Sequence, residues 1–186
     1  MSQFERPSDE SLARCVATQE IQQLAYSYAL AFDSRDISML HGLWIQDVER
    51  VDYPEINIHT VREDFDQWLY DLGPTVLLVG NHVVNIEDAD HATGSVYCLG
   101  QIDLGEQFVQ QAILYQDRYA RHQGRWLFER RRHLLWYGIS TAENPFSQAP
   151  ADWPAKTFGR GTLPEDFPSY QALRAADTTP RATTKQ

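Results

Sequence analysis

Asp33 and His82 are the side chains in this sequence best suited to moving a proton, and Tyr28, Tyr53 and the run Arg130-Arg131-Arg132 offer groups that could assist them. His82 lies in a β-rich run, where regular alternation puts it on one face with Val76, Leu78, Val84 and Ile86. Burial on an apolar face disfavours the charged imidazole, so the ring is a neutral base. A carboxylate beside it would hold its tautomer and stabilise the imidazolium formed. Asp33, at the end of a long helical pattern, is the candidate for that carboxylate. Either phenol could hold a substrate oxygen or an ordered water. Alternation sends Arg131 to the face opposite its two neighbours, and one of the three could point inward to pair with an acidic group or a substrate oxygen. A plainer reading fits the same residues: His82 in a core hydrogen bond, Asp33 capping the next helix, both tyrosines in the core and the arginines on a solvated face. Sequence separation alone does not join Asp33 to His82.

Other chemistries find less support. His41, His59, His91, His122 and His133 show no metal-ligand spacing, and the chain has no GxGxxG, P-loop or GxSxG element, so a metal site, nucleotide-dependent chemistry and a serine nucleophile are not expected. Cys15 and Cys98 are the only cysteines and form no CxxC pair, which fits a reducing compartment. A net charge of −10 without a basic run argues against nucleic acid and anionic lipid as partners. The polar N-terminal stretch MSQFERPSDESLAR resembles no signal peptide or membrane span, and a cytoplasmic location is expected.

The elements that must position these residues can be read from periodicity. Ile21, Leu24, Ala25, Tyr28 and Phe32 form one apolar helical face over 18–32, with Thr18 as the expected N-cap. A second helix is expected over 37–44, a short strand over 48–53, and a third helix over 61–72 stopped by Gly73-Pro74. Four long β-rich runs follow, 75–86, 93–104, 108–121 and 125–139, separated by breaks short enough for antiparallel hairpins. Helices first and a meander afterwards give an α+β domain over 1–140: a strongly curved, mostly antiparallel sheet around three N-terminal helices, a cone-shaped barrel with an internal cavity. An aromatic tail over 141–177, carrying Phe146, Trp153, Phe158, Phe167 and Tyr170, is expected to pack on or close the cavity. Residues 178–186 lack such anchors and are expected to be disordered.

Phe32-Asp33-Ser34-Arg35-Asp36, Val51-Asp52-Tyr53 and Gly80-Asn81-His82 resemble, in order and spacing, the scytalone dehydratase pattern of the SnoaL-like branch of nuclear transport factor 2-like proteins. The stretch from Asn81-His82-Val83 to Ala92-Thr93-Gly94-Ser95-Val96-Tyr97 is similar to bile acid 7α-dehydratase, and Tyr97-Cys98-Leu99-Gly100 to hexachlorocyclohexane dehydrochlorinase. The resemblance covers about residues 15 to 140. It implies a cofactor-independent lyase with an Asp33–His82 dyad, Tyr28 and Tyr53 contacting substrate or water, and a homotrimer or homodimer, the trimer favoured. The second active-site histidine of scytalone dehydratase has no counterpart between Cys98 and Leu104, so the substrate differs and the leaving group could differ with it. The expected reaction is a dehydratase-type elimination on a hydrophobic, ring-containing small molecule, with Trp44, Tyr97, Tyr115, Arg131 and Phe146 as candidate substrate contacts. Carbon–carbon cleavage, a double-bond shift or a polyketide-type cyclisation would use the same dyad, and a non-catalytic binding module is the alternative from another class.

Overall fold

The computed structural model describes residues 7–142, 144–151, 155, 160 and 165–176. Helix α1 spans Asp9–Ser34 and is capped by Ser8, whose hydroxyl accepts from the Ser11 amide, rather than by Thr18. The Thr18 hydroxyl instead donates to the Arg14 carbonyl within the helix. The first turns carry Leu12 and Val16 on the exposed side, so they lack the apolar stripe that marks the rest of the helix. Arg35 ends α1 in a left-handed conformation, and Asp36 caps the short helix α2, Ile37–Gly42, by accepting from the Met39 amide.

The strand expected over 48–53 does not form. Side chains of the next turn take its carbonyls: Asn57 donates to Glu49, His59 to Val48 and Thr60 to Val51. Pairing is confined to β1, Glu55–Ile56, against Arg132 and Arg131. The third helical stretch starts earlier than its apolar period suggests, as α3 (Ile58–Thr60), a π-helical turn (Val61–Phe65) and α4 (Asp66–Asp71).

Strands β2 (Thr75–Ile86), β3 (His91–Asp103), β4 (Phe108–His122) and β5 (Arg125–Thr141) form a meander, giving an antiparallel sheet in the order β1-β5-β4-β3-β2. Gln123 and Gly124, both at positive φ, make the tight β4–β5 turn. The inner face of the curved sheet wraps α1, and Ile21, Leu24, Tyr28, Phe32, Trp44, Tyr119 and Phe128 fill the space between them. This is the expected α+β cone.

One irregularity decides which side chains share the inner face. Val79 pairs with Cys98 and His82 with Val96, so β2 spends three steps where β3 spends two. This bulge switches the facing of β2. Leu77 and Val79 point inward before it, and His82, Val84 and Ile86 after it, while Leu78 lies exposed on the outer face. Regular alternation, which grouped His82 with Val76 and Leu78, does not hold.

Beyond β5, the ring of Phe146 packs near Phe108. Helix α5, Pro168–Ala176, docks at the C-terminal end of α1: Tyr170 and Leu173 are buried, Ser169 donates to the Ser34 carbonyl, and Arg174 donates to Tyr70 and Leu72. Trp153, Phe158 and residues 178–186 lie outside the described residues. No described helix is long and apolar enough to cross a membrane.

Candidate active site

A buried polar chain runs across the inner face of β2, β4 and β5. Asp117 and Arg131 stand opposite each other in register, and the guanidinium donates Nε to Oδ1 and Nη2 to Oδ2, both at 2.8 Å. Both side chains are essentially inaccessible to solvent, at 0% and 1% exposure. Tyr28, Tyr115 and Phe128 pack on the guanidinium with centroids 4.4, 3.9 and 4.5 Å away. Burial opposes the arginine's charge, but Asp117 more than offsets it, and its pKa stands above the ordinary value. Tyr119 donates to Asp117 Oδ2 at 2.7 Å, and its oxygen lies 3.0 Å from His82 Nε2. Burial, only partly offset by Asp117, lowers the His82 pKa, so the imidazole is neutral at physiological pH. Its Nδ1 is buried without a protein partner.

Asp33 belongs to a different cluster. Its carboxylate accepts from the Thr75 hydroxyl and the Leu77 amide, both at 2.8 Å. Arg35 completes the joint by donating to Thr75 and to the carbonyls of Phe32 and Gly73. No hydrogen bond or ion pair joins Asp33 to His82, and the expected direct dyad is corrected on geometry. Gln22 on α1 donates to the His82 carbonyl, whereas Asp33, eleven residues further along α1, meets Leu77. Eleven helical residues span roughly 16 Å. The five-residue separation from Leu77 to His82 on β2 covers a similar length.

Burial pushes the Asp33 carboxyl up to about 6, against partial relief from the Leu77 amide, Thr75 and Arg35. The folded state thus binds this proton more tightly than the unfolded chain, so the group's contribution to stability falls as pH rises from about 4 through about 6. That interval corresponds to on the order of 3 kcal/mol. Asp33→Asn is expected to match or exceed the wild type in thermal stability at pH 7–8 and to flatten the decline between pH 4 and 7. Parallel melting curves for the two proteins over that range would overturn this account.

The other candidate residues are scattered around these clusters. Tyr28, Trp44 and Tyr115 are buried beside the Asp117–Arg131 pair, with Trp44 tilted on Phe128 at 4.9 Å. Tyr53 is 64% exposed, its ring edge-on to His133, and Tyr97 faces outward against Trp136. Phe146, on Phe108, makes no described contact with the polar chain. Half-buried Arg130 and exposed Arg132 both pair with Glu55, which leaves Arg131 as the inward arginine. Asp117 and Tyr119 were not singled out from sequence, although the signal is there. In Ile113-Leu114-Tyr115-Gln116-Asp117-Arg118-Tyr119, odd positions are apolar or aromatic except one acid, and an inward acid on such a strand requires a buried cation.

Two described cavities lie mainly against outward-facing residues. One of about 420 Å³ is bordered by Glu55, Asn85, Thr93, Arg118, Arg130 and Arg132. The other, about 350 Å³, is bordered by Leu78, Gly80, Tyr97, Leu99, Ile113 and Trp136.

A curved antiparallel sheet closed over a long helix, with ionisable groups set into its inner face, defines a small α+β cone protein. Residues 13–132 match the SnoaL-like domain, and the chain belongs to that family. A hexachlorocyclohexane dehydrochlorinase, LinA-type3, from Novosphingobium barchaimii LL02 is similar in structure at 20% identity and a TM-score of 0.60, over 72% of this chain and 95% of that one. A protein provisionally assigned as a scytalone dehydratase from Novosphingobium aromaticivorans DSM 12444 aligns at 16% identity and a TM-score of 0.62, over 74% and 97%. A single-residue variant of a Mycobacterium tuberculosis protein of unknown function, Rv3472, aligns at 21% identity and 0.58, over 70% and 76%. At these identities the similarity shows the fold. No curated protein matches the chain in sequence.

Proposed function

We propose that this chain is a cofactor-independent lyase that eliminates water from a hydrophobic, ring-containing small molecule, with His82 as the proton acceptor. The observation that carries the reading is the neutral His82 ring, tied through Nε2 to Tyr119 and left with an unpartnered Nδ1. In the proposed step a proton leaves the carbon next to a carbonyl or aromatic ring and binds the imidazole. The C–H electron pair becomes the new double bond while the C–O bond breaks, and the departing oxygen takes a second proton to leave as water. Tyr28 is the candidate donor of that proton: burial pushes its phenol up to about 12, a rise partly offset by the neighbouring Arg131 guanidinium. Tyr53, with its ring in solvent, has no part in this step. Two of the similar structures carry the names of elimination enzymes, which supports the reaction class. The test is turnover of ring-bearing alcohols activated by a neighbouring carbonyl or aryl group, wild type against His82→Ala.

A non-catalytic ligand-binding module is the second reading, favoured by the separation of Asp33 from His82 and by cavities that lie on the outer face. Saturable binding of such alcohols without turnover, lost on Trp136→Ala and retained in His82→Ala, would replace the lyase with the carrier.

We also propose a cytoplasmic homo-oligomer, the trimer favoured. Leu78, Tyr97, Leu99 and Trp136 expose an apolar area on a sheet face that no described helix covers. Light scattering is expected to return three chain masses, and a monomer at micromolar concentration would refute the assembly.

A further inference from the structure

The hydrogen-bond directions around Tyr119 assign roles to both nitrogens of His82. Asp117 accepts one N–H from Arg131 on each of its carboxyl oxygens. Tyr119 has one hydroxyl proton, and at 2.7 Å from Oδ2 that proton goes to Asp117. A lone pair of the same oxygen then faces His82 Nε2 at 3.0 Å, and only an Nε2–H can satisfy it. The neutral ring's remaining lone pair is on Nδ1, the atom without a protein partner. Gly94 makes room for this arrangement. A Cβ there would stand 3.1 Å from both His82 Nε2 and the Tyr119 oxygen, and 3.0 Å from the Tyr119 ring.

We propose that Tyr119 is a positioning residue: it links the Asp117 carboxylate to His82, holds the imidazole as its Nε2–H tautomer, and thereby makes Nδ1 the atom that accepts the substrate's proton. The chain Asp117–Tyr119–His82 takes the orienting part that a direct carboxylate–imidazole pair would play. This inference rests on the lyase reading, with His82 as the acceptor. The charged groups acting on the imidazole are Asp117 from β4 and Arg131 from β5, and α1 contributes the uncharged Gln22 at its backbone.

The experiment is long-range ¹H–¹⁵N spectroscopy of the histidine side chains in the full chain, compared for wild type, Tyr119→Phe and Gly94→Ala, with kinetics of the same proteins. Wild-type His82 is expected as a single neutral Nε2–H tautomer. Tyr119→Phe keeps the ring on Phe128 but removes the acceptor, and is expected to give a mixture of tautomers. It should also lower kcat by about tenfold to a hundredfold at nearly unchanged KM, the range for partners that orient a functional histidine. Gly94→Ala wedges the pair apart and should mix the tautomers by an independent route. An Nδ1–H tautomer in the wild type, or an unchanged His82 spectrum in both variants, overturns the inference while a dead His82→Ala preserves the lyase reading. The expected spectra with a fully active His82→Ala overturn the lyase reading, and the role of Nδ1 with it.

Discussion

His82→Ala is expected to lower kcat/KM for a ring-bearing alcohol by roughly 10²–10⁴-fold, the usual contribution of a general base. The fold should survive, because the ring is only partly buried and gives up a single hydrogen bond, the one to Tyr119. Such a bond contributes about 1 kcal/mol net, small beside the stability of a chain this size. Tyr119 still has Asp117 as its acceptor after the change. The loss should fall on kcat, since proton transfer belongs to the transition state and the imidazole is not a major binding surface. His82→Gln is the sharper variant. It can keep a polar contact to Tyr119 but cannot take up a proton at neutral pH, so it should be as inactive as alanine. Activity within about threefold of wild type in either variant would remove His82 from the chemistry. Asp33→Asn in the same assay tests the separation of the two residues: a loss equal to that of His82→Ala would show that they act as one unit in solution.

What could be read from the sequence follows from which contacts are local. The four long strands announce themselves by alternation and short turns, and the pairing that results is a simple meander. The start of α1 was hidden because Leu12 and Val16 are exposed and no apolar stripe begins there. The strand expected at 48–53 failed because three side chains from the following turn took its carbonyls, a competition that residue types alone do not reveal. The pairing of Asp33 with His82 depended on two long-range quantities, the position of a bulge in β2 and the register of α1 against that strand. Gly80 marks the bulge, but a glycine in a strand does not say by how many residues the ladder shifts. Local alternation separates Arg131 from Arg130 and Arg132 but does not say which face is inward; in the structure the Asp117 pairing makes Arg131 the inward one. Its partner Asp117 could have been found by applying the same alternation to β4.

Breaking the Asp117–Arg131 pair is expected to have the largest effect on stability. Each charge lies in the cone interior, and two parallel hydrogen bonds with three aromatic faces replace the water lost on burial. Arg131→Met leaves the buried Asp117 side chain with Tyr119 as its remaining side-chain donor, and Asp117→Leu leaves an unpaired guanidinium between tyrosines. Either single change should cost roughly 3–5 kcal/mol, on the order of 10 °C in melting temperature for a chain of this length. The double variant Asp117→Leu/Arg131→Met removes both charges and restores an apolar contact, so it should be more stable than either single variant. Calorimetry of the four proteins gives the coupling directly, and strictly additive losses would mean that the pair contributes no mutual stabilisation. The double variant also separates architecture from chemistry. It retains the cone and removes both the carboxylate behind Tyr119 and the cation beside Tyr28, so a well-folded but inactive double variant would show that the buried pair serves the reaction as well as the fold.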